Sequence, residues 1–407
     1  MKVLIIDPAV HSPGGHHFQA VQRLQRELAG LGVAAPCLGS AYADRRVVDE
    51  LGCAPTFNRS VYGRSYATPA EFADGVEETG RQLAEGMHGS GVPDLIILPC
   101  CDQVLAMALA QQLRRSWLRP RPRILLWLLY GTHHLKAPDD AAAVSLEGET
   151  RAAFTELAAN AAGVEAYCET PAMADFYRSL VPFEVGIMAG PGLPVRARVA
   201  KAAGGPPVVS CIGFANRAKG YRLLPQALPH VLDRHRDVRF MVHGIVKGSD
   251  AEADQPMFDR LAALGKHVQV RHEVLSPDEY MAWLAEADLL LLPYDPDVYR
   301  RRGSGVFSDA LHVGIPVVAP KECAFARPAF DDGWGVAMKD YDGHSLGGAV
   351  LEALDRLPQL DARAVEAAGR ARDDLGRVLS ASVKALRPAR LAGLLRRFRP
   401  GTAPRSA

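Results

Sequence analysis

Four short stretches of this sequence bring together residue types that hold phosphates or sugars. Gly14 and Gly15 stand just before an apolar pattern of helical period, with His16 and His17 directly after them. Glycines at a helix start let backbone approach a phosphate, and the free N–H groups and positive dipole end attract it. A tight βα turn uses the same pair, and no third glycine follows at the place the dinucleotide fingerprint requires. Gly131-Thr132-His133-His134 follows a strong apolar run. A histidine past a strand end can donate to a sugar hydroxyl or a phosphate, and a plain loop role suits it equally. Beyond Gly213, the run Asn216-Arg217-Ala218-Lys219-Gly220 sets two cations and a glycine before a helix. That is a diphosphate clamp or a solvated basic loop. The most specific stretch runs from Tyr294 to Val318. There Gly303-Ser304-Gly305 opens a helix, so backbone N–H groups at Ser304, Gly305 and Val306 can take a phosphate. One turn later Asp309 can accept from a ribose diol.

Two further patterns weigh less. Asp295-Pro296-Asp297 spells a pair of acids that can hold a divalent metal, but a proline turn after a strand explains it better, and no metal is expected. The run Arg114 to Arg123 interleaves arginines with Trp117 and Leu118. Such a stretch can dock weakly on an anionic inner-membrane surface, although a solvated helix end is the preferred reading.

Composition narrows the classes. A chain of 407 residues suits two domains of ~150–200 residues each. A net charge of +1 offers no global reason to bind nucleic acid. Seven cysteines form no CxxC pair and no zinc-ligand spacing. They read as reduced structural thiols of a cytoplasmic protein. The start, MKVLIIDPAV, has too short an apolar run for a signal peptide, and no stretch reaches the length of a membrane span.

The elements that must position these residues alternate strand and helix. Val3–Asp7, Val33–Leu38, Leu95–Leu98, Ile124–Tyr130 and Gly163–Tyr167 read as strands, and Phe18–Ala29 carries one apolar helix face. Proline and glycine crowd the stretch before Val208, which reads as a linker over 194–207. The rhythm then restarts. Val208–Ile212, Phe240–His243, Leu289–Pro293 and Pro316–Ala319 read as strands. Ser276-Pro277-Asp278-Glu279 reads as a capping box, and Gly305–Val313 as a helix. This gives an α/β protein with two Rossmann-like, doubly wound domains, 1–193 and 208–385, followed by a basic tail over 386–407. Ligands of such sheets sit beyond the carboxyl ends of the strands.

The second half resembles the nucleotide-binding domain of the retaining GT-B glycosyltransferases of family 4, also called group 1. Lys219-Gly220 after a strand matches, as do Asp309, Ala310, Gly314, Pro316, Val317 and Val318, then Gly333-Trp334-Gly335-Val336 and the helix after Ser345. In the first half, Gly14-Gly15 and the strand leading to His133 are similar. The family carries two acids with seven residues between them; here Arg301 takes the first place and Asp309 the second. Its arginine after the clamp glycine is Phe214 here. The resemblance implies two domains facing a central cleft and transfer from a nucleotide-diphosphate sugar with retained configuration. Arg217 and Lys219 would stabilise the leaving diphosphate, and His133 would face the sugar. No cofactor or metal is implied, and the acceptor is a glycan, a lipid-linked glycan or a small molecule. A non-catalytic nucleotide-sugar-binding relative and a sugar-nucleotide epimerase are the alternative readings.

Overall fold

The computed structural model describes residues 1–13, 16–60, 68–88, 91–115, 120–130, 147–191, 205–245 and 251–397, with 251–254 and 387–397 described by backbone alone. The first sheet holds seven parallel strands: β1 (Val3–Ile6), β2 (Cys37–Ser40), β3 (Cys53–Phe57), β4 (Leu95–Leu98), β5 (Arg123–Trp127), β6 (Gly163–Cys168) and β7 (Val185–Ile187). Their spatial order is β3-β2-β1-β4-β5-β6-β7. The second sheet holds β8 (Val208–Phe214), β9 (Arg239–Ile245), β10 (Val268–Arg271), β11 (Leu289–Leu291), β12 (Val317–Pro320) and β13 (Gly335–Met338). It repeats the same winding, β10-β9-β8-β11-β12-β13, again with every pair parallel.

Both sheets are covered on both faces, so their central strands are predominantly apolar. In the first sheet Leu4, Ile6, Ile96 and Leu98 enter one core, while Val3, Ile5, Leu95 and Ile97 enter the other. The second sheet divides in the same way, Val209 and Leu291 on one side, Val208 and Leu290 on the other. This period of two is the strand's own geometry.

The second strand starts four residues later than the sequence suggests. Val33 donates its N–H to Leu28 O at 2.9 Å, so it closes the preceding helix. Gly32 makes the turn with φ +75°. The edge strands β3, β7, β10 and β13 carry too little apolar alternation to stand out in the sequence. Most of the expected linker, residues 194–204, lies outside the described residues.

The C-terminal helix, Leu357–Arg397, belongs to both halves. Ala364 and Ala367 pack with Phe307, Ala310 and Val313 of the second domain. Leu375, Leu379 and Val383 pack with Val21, Leu24 and Leu28 of the first helix, His16–Gly30. One helix therefore straps the second domain to the first, and Ser382 Oγ donates to Glu165 Oε2 at 3.4 Å near its end.

Candidate active site between the two domains

In each sheet the winding reverses between the first strand and its later neighbour, β1 with β4 and β8 with β11. The crevice at such a reversal, beyond the strand ends, is where open α/β sheets bind ligands. The sequence-predicted residues gather there unevenly.

From the second domain, β8 ends at Gly213, whose φ of +136° lies in glycine's territory, and at half-exposed Phe214. Asn216 then caps a short 3₁₀ turn, Arg217–Lys219, by accepting from Lys219 N at 3.1 Å. Gly220 follows with φ +67°. A Cβ there would lie 1.7 Å from Pro293 O, so only glycine lets this loop lie on the end of β11. The contact sets Lys219 Nζ over the ring of Tyr294, 3.6 Å from its centroid. Burial, and then the nearby Arg302 charge, lowers the Lys219 ammonium to about 7. Arg217, two residues earlier, is exposed.

The half-buried Arg302 guanidinium lies 5.2 Å from the Tyr299 ring and 5.7 Å from that of Tyr130 in the first domain. Its Nε is buried and has no hydrogen-bond partner among the described residues. Lys219 and Arg302 are thus two cations held by aromatic faces, neither with an ion-pair partner among the described residues. Beside them begins the helix Gly305–Val313. Ser304 caps it, its Oγ accepting from Phe307 N at 3.3 Å. The first backbone bond of that helix is Ser308 N–H to Ser304 O, 2.9 Å, so the N–H groups of Gly305 and Val306 precede it and are available to an anion. Asp309 is buried one turn on, and Tyr280 donates its hydroxyl to Asp309 Oδ2 at 2.7 Å. Asp295 is engaged as a helix cap, accepting from Asp297 N at 3.0 Å, while exposed Asp297 pairs with Arg300 at 3.3 Å.

From the first domain, His16 and His17 open the first helix. His17 Nδ1 lies 2.8 Å from Asp7 Oδ2, and Asp7 is fully buried at the end of β1. The His16 ring faces the start of the Gly305–Val313 helix: a Cβ at Gly305 would lie 4.0 Å from its Nδ1. Desolvation in the cleft, then the charges of His17 and Lys219, lowers the His16 imidazole pKa, while part of the side chain remains exposed. It is therefore a neutral ring at pH 7, able to donate or accept one hydrogen bond.

The residue after β6, Glu169, crosses to the second domain. Its Oε1 accepts from Ser308 Oγ at 3.3 Å and from Gly190 N at 3.3 Å. Its other oxygen lies where a Cβ on Gly303 would be, 1.8 Å away. Burial raises this carboxyl above its usual range, opposed in part by those two hydrogen bonds. Next to it Thr170 donates to Arg301 O at 2.6 Å, and the exposed Arg301 guanidinium lies 5.3 Å from the Phe176 ring. The position where the family resemblance expects an acid thus docks one domain on the other.

Lys219, Gly213, His16, Ser304, Gly305, Val306 and Asp309 all lie at these strand ends and helix starts. Gly14, Gly15, His133 and His134 fall outside the described residues. Sequence reasoning passed over Arg302, hidden in a run of three arginines, and Glu169. The only sequence trace of Glu169 is its place before Thr170-Pro171, a helix start immediately beyond a strand. Of the basic run near Trp117, residues 116–119 lie outside the described residues, and Arg121 Nη1 donates to Ala159 O at 2.7 Å. Among the described residues no helix is long and apolar enough to cross a membrane.

Residues 206–356 match the model of a family described as glycosyl transferases group 1, a match confined to the second half. No curated protein matches the chain. Among solved structures it is similar to a sucrose-phosphate synthase of Thermosynechococcus elongatus, at 16% identity and TM-score 0.64, with 95% of this chain and 99% of that one covered. It is similar to an α,α-trehalose 6-phosphate synthase of Burkholderia multivorans, at 14% identity and TM-score 0.63, with 99% of each covered. It is also similar to HepE of Anabaena solved in complex with UDP, at 14% identity and TM-score 0.62, with 95% and 100% covered. The fold is the GT-B architecture, two Rossmann-like parallel-sheet domains facing a cleft.

Proposed function

We propose that this protein is a glycosyltransferase that moves a sugar from a nucleotide-diphosphate donor to an acceptor, with retained anomeric configuration. The observation that carries this reading is the convergence of Lys219, Arg302 and the start of the Gly305–Val313 helix on one cleft, within a segment matching group 1 glycosyltransferases. A leaving diphosphate develops negative charge as the glycosidic bond breaks. Two poorly solvated cations and oriented N–H groups stabilise that charge without reorganising at the moment of reaction. Their mutual repulsion in the free protein is relieved by the same charge.

The other groups take supporting roles. Asp309, one oxygen held by Tyr280, is suited to accept from a ribose hydroxyl. Neutral His16 hydrogen-bonds the donor across the cleft. His133 is the proposed sugar-facing histidine, and Gly14 and Gly15 the proposed close approach of backbone to donor. Arg217 reaches the diphosphate only by swinging in from solvent. For retention, the donor phosphate oxygen takes the acceptor's proton on the face the leaving group departs from, so no carboxylate nucleophile is needed. The acceptor is a glycan, a lipid-linked glycan or a small molecule. No metal or other cofactor enters this scheme.

Thermal denaturation against UDP, GDP, ADP and TDP tests the donor site, because a ligand of the folded state raises the midpoint by mass action. One base should stand out. Proton NMR of the product formed from the matching nucleotide sugar then reads the anomeric configuration. No response to any of the four diphosphates would refute the donor site, and an inverted product would refute the mechanism.

A further inference from the structure

Away from the cleft, a groove of about 860 Å³ opens between the first helix and the C-terminal strap. Arg23 and Arg26 of the first helix line one side, and Arg372, Arg377 and Lys384 of the strap line the other. Only Glu27 and Asp373 are acidic in that lining. Arg377 is drawn aside by Asp374, and Glu27 sits 3.9 Å from Arg23, too far for a good hydrogen bond.

Arg23 is the unusual member. Its side chain is only 6% exposed. One nitrogen donates weakly to Arg372 O at 3.4 Å, and Nη1 is buried with no hydrogen-bond partner among the described residues. A guanidinium in that state is costly unless an anion answers it. Burial pulls its pKa down, the Glu27 carboxylate 3.9 Å away opposes this in part, and the Arg372 and Arg26 charges add to the effect of burial. The Arg23 and Arg372 charges also reach His312, a buried residue of the helix that opens the cleft site. His312 donates through Nδ1 to Ser308 O at 2.7 Å, and burial with the Arg23 charge holds it neutral, at about 4.

From these observations we infer that the groove is a second anion site, which takes a phosphate group between the first helix and the strap. The ligand is a phosphate borne by a small molecule or by a lipid headgroup; the geometry of several forked guanidinium donors suits either. Because the strap packs on both domains, an anion there ties the first domain's helix to the element that also backs the cleft. The site is separate from the donor cleft and does not depend on the reaction assigned to it.

Inorganic phosphate is the first probe, titrated calorimetrically at constant ionic strength into the full chain carrying Lys219→Ala and Arg302→Ala, so that the cleft cations are absent. Adding Arg26→Gln and Lys384→Gln, both exposed positions, should weaken phosphate at least tenfold. Arg23→Met in the same background should abolish binding and raise the melting midpoint without phosphate. Titrating UDP into Arg26→Gln/Lys384→Gln protein with an intact cleft should match wild type, which keeps failure of the groove apart from failure of the donor site. Sedimentation with phosphatidylglycerol vesicles distinguishes the sources. If vesicle binding, and not free phosphate, depends on Arg26 and Lys384, the site stands with a lipid-borne ligand. If neither depends on them, the inference is overturned.

Discussion

Glu169 of the first domain accepts a hydrogen bond from Ser308 of the second at 3.3 Å, with Gly303 packed against its other oxygen. The carboxyl is half-buried and no cation is paired with it among the described residues, so the hydrogen bonds and the absent side chain of Gly303 are what make room for it. A methyl group at Gly303 must push the carboxyl off both partners. Gly303→Ala should therefore destabilise the protein by about 1–2 kcal/mol, the cost of displaced hydrogen bonds to a carboxylate. Most of that cost should vanish in the Glu169→Ala background. Urea unfolding of the four members of this cycle checks it, and additive losses would show that the two residues do not compete for space.

Lys219 and Arg302, rather than exposed Arg217, share the cleft. Lys219→Ala and Arg302→Ala should each weaken nucleoside diphosphate binding by roughly 10–100-fold, the effect of losing about 1.5–3 kcal/mol of charged hydrogen bonding. Nucleoside without phosphates should bind unchanged, and Arg217→Ala should cost less than about threefold on the same scale. Calorimetry with UDP and uridine, or the matching base, separates the three. Equal losses for diphosphate and nucleoside would sink the clamp.

The lowered ammonium of Lys219 predicts a proton signature. Burial and Arg302 bring it to about 7, so at pH 8 most of the free protein carries a neutral Lys219. A bound diphosphate favours the charged form, so binding should take up close to one proton at about pH 8 and almost none near pH 6. Titration in buffers of different ionisation enthalpy measures this, and Lys219→Ala should remove the uptake. Stability carries the matching sign. Between about 7 and the ordinary lysine value the unfolded chain binds more protons, so this residue's contribution becomes more favourable as pH rises through that window.

Gly220 is the clearest steric requirement of the site. A Cβ there meets the Pro293 carbonyl at 1.7 Å, and φ is +67°. Gly220→Ala combines a left-handed penalty with a backbone clash, about 2–4 kcal/mol together. The expected result is a lower urea midpoint with weakened diphosphate binding, because Lys219 moves with the loop. A variant of wild-type stability would show that the loop shifts freely.

Much of this molecule was legible in its residues. Buried parallel strands leave unbroken apolar runs such as Leu95–Leu98, and helix starts leave caps such as Ser276-Pro277-Asp278-Glu279, whose reciprocal bonds form at 2.8 and 3.3 Å. The loops holding Lys219 and Ser304 follow from the same local rules, because glycine and capping residues act within a few positions of themselves. Local rules end there. Whether a cation is solvated or pressed on Tyr294 depends on Gly220 meeting Pro293, a contact between segments far apart in the chain. Arg301 and Arg302 are chemically alike neighbours, yet one stacks by Phe176 at the domain junction and the other lies between Tyr299 and Tyr130. Glu169 reaches Ser308 across 139 positions of sequence. Side-chain type and short-range spacing determine strands, turns and helix ends. Only the packing of one domain on the other, with the strap helix over both, decides which charges lose their water and which groups meet in the cleft.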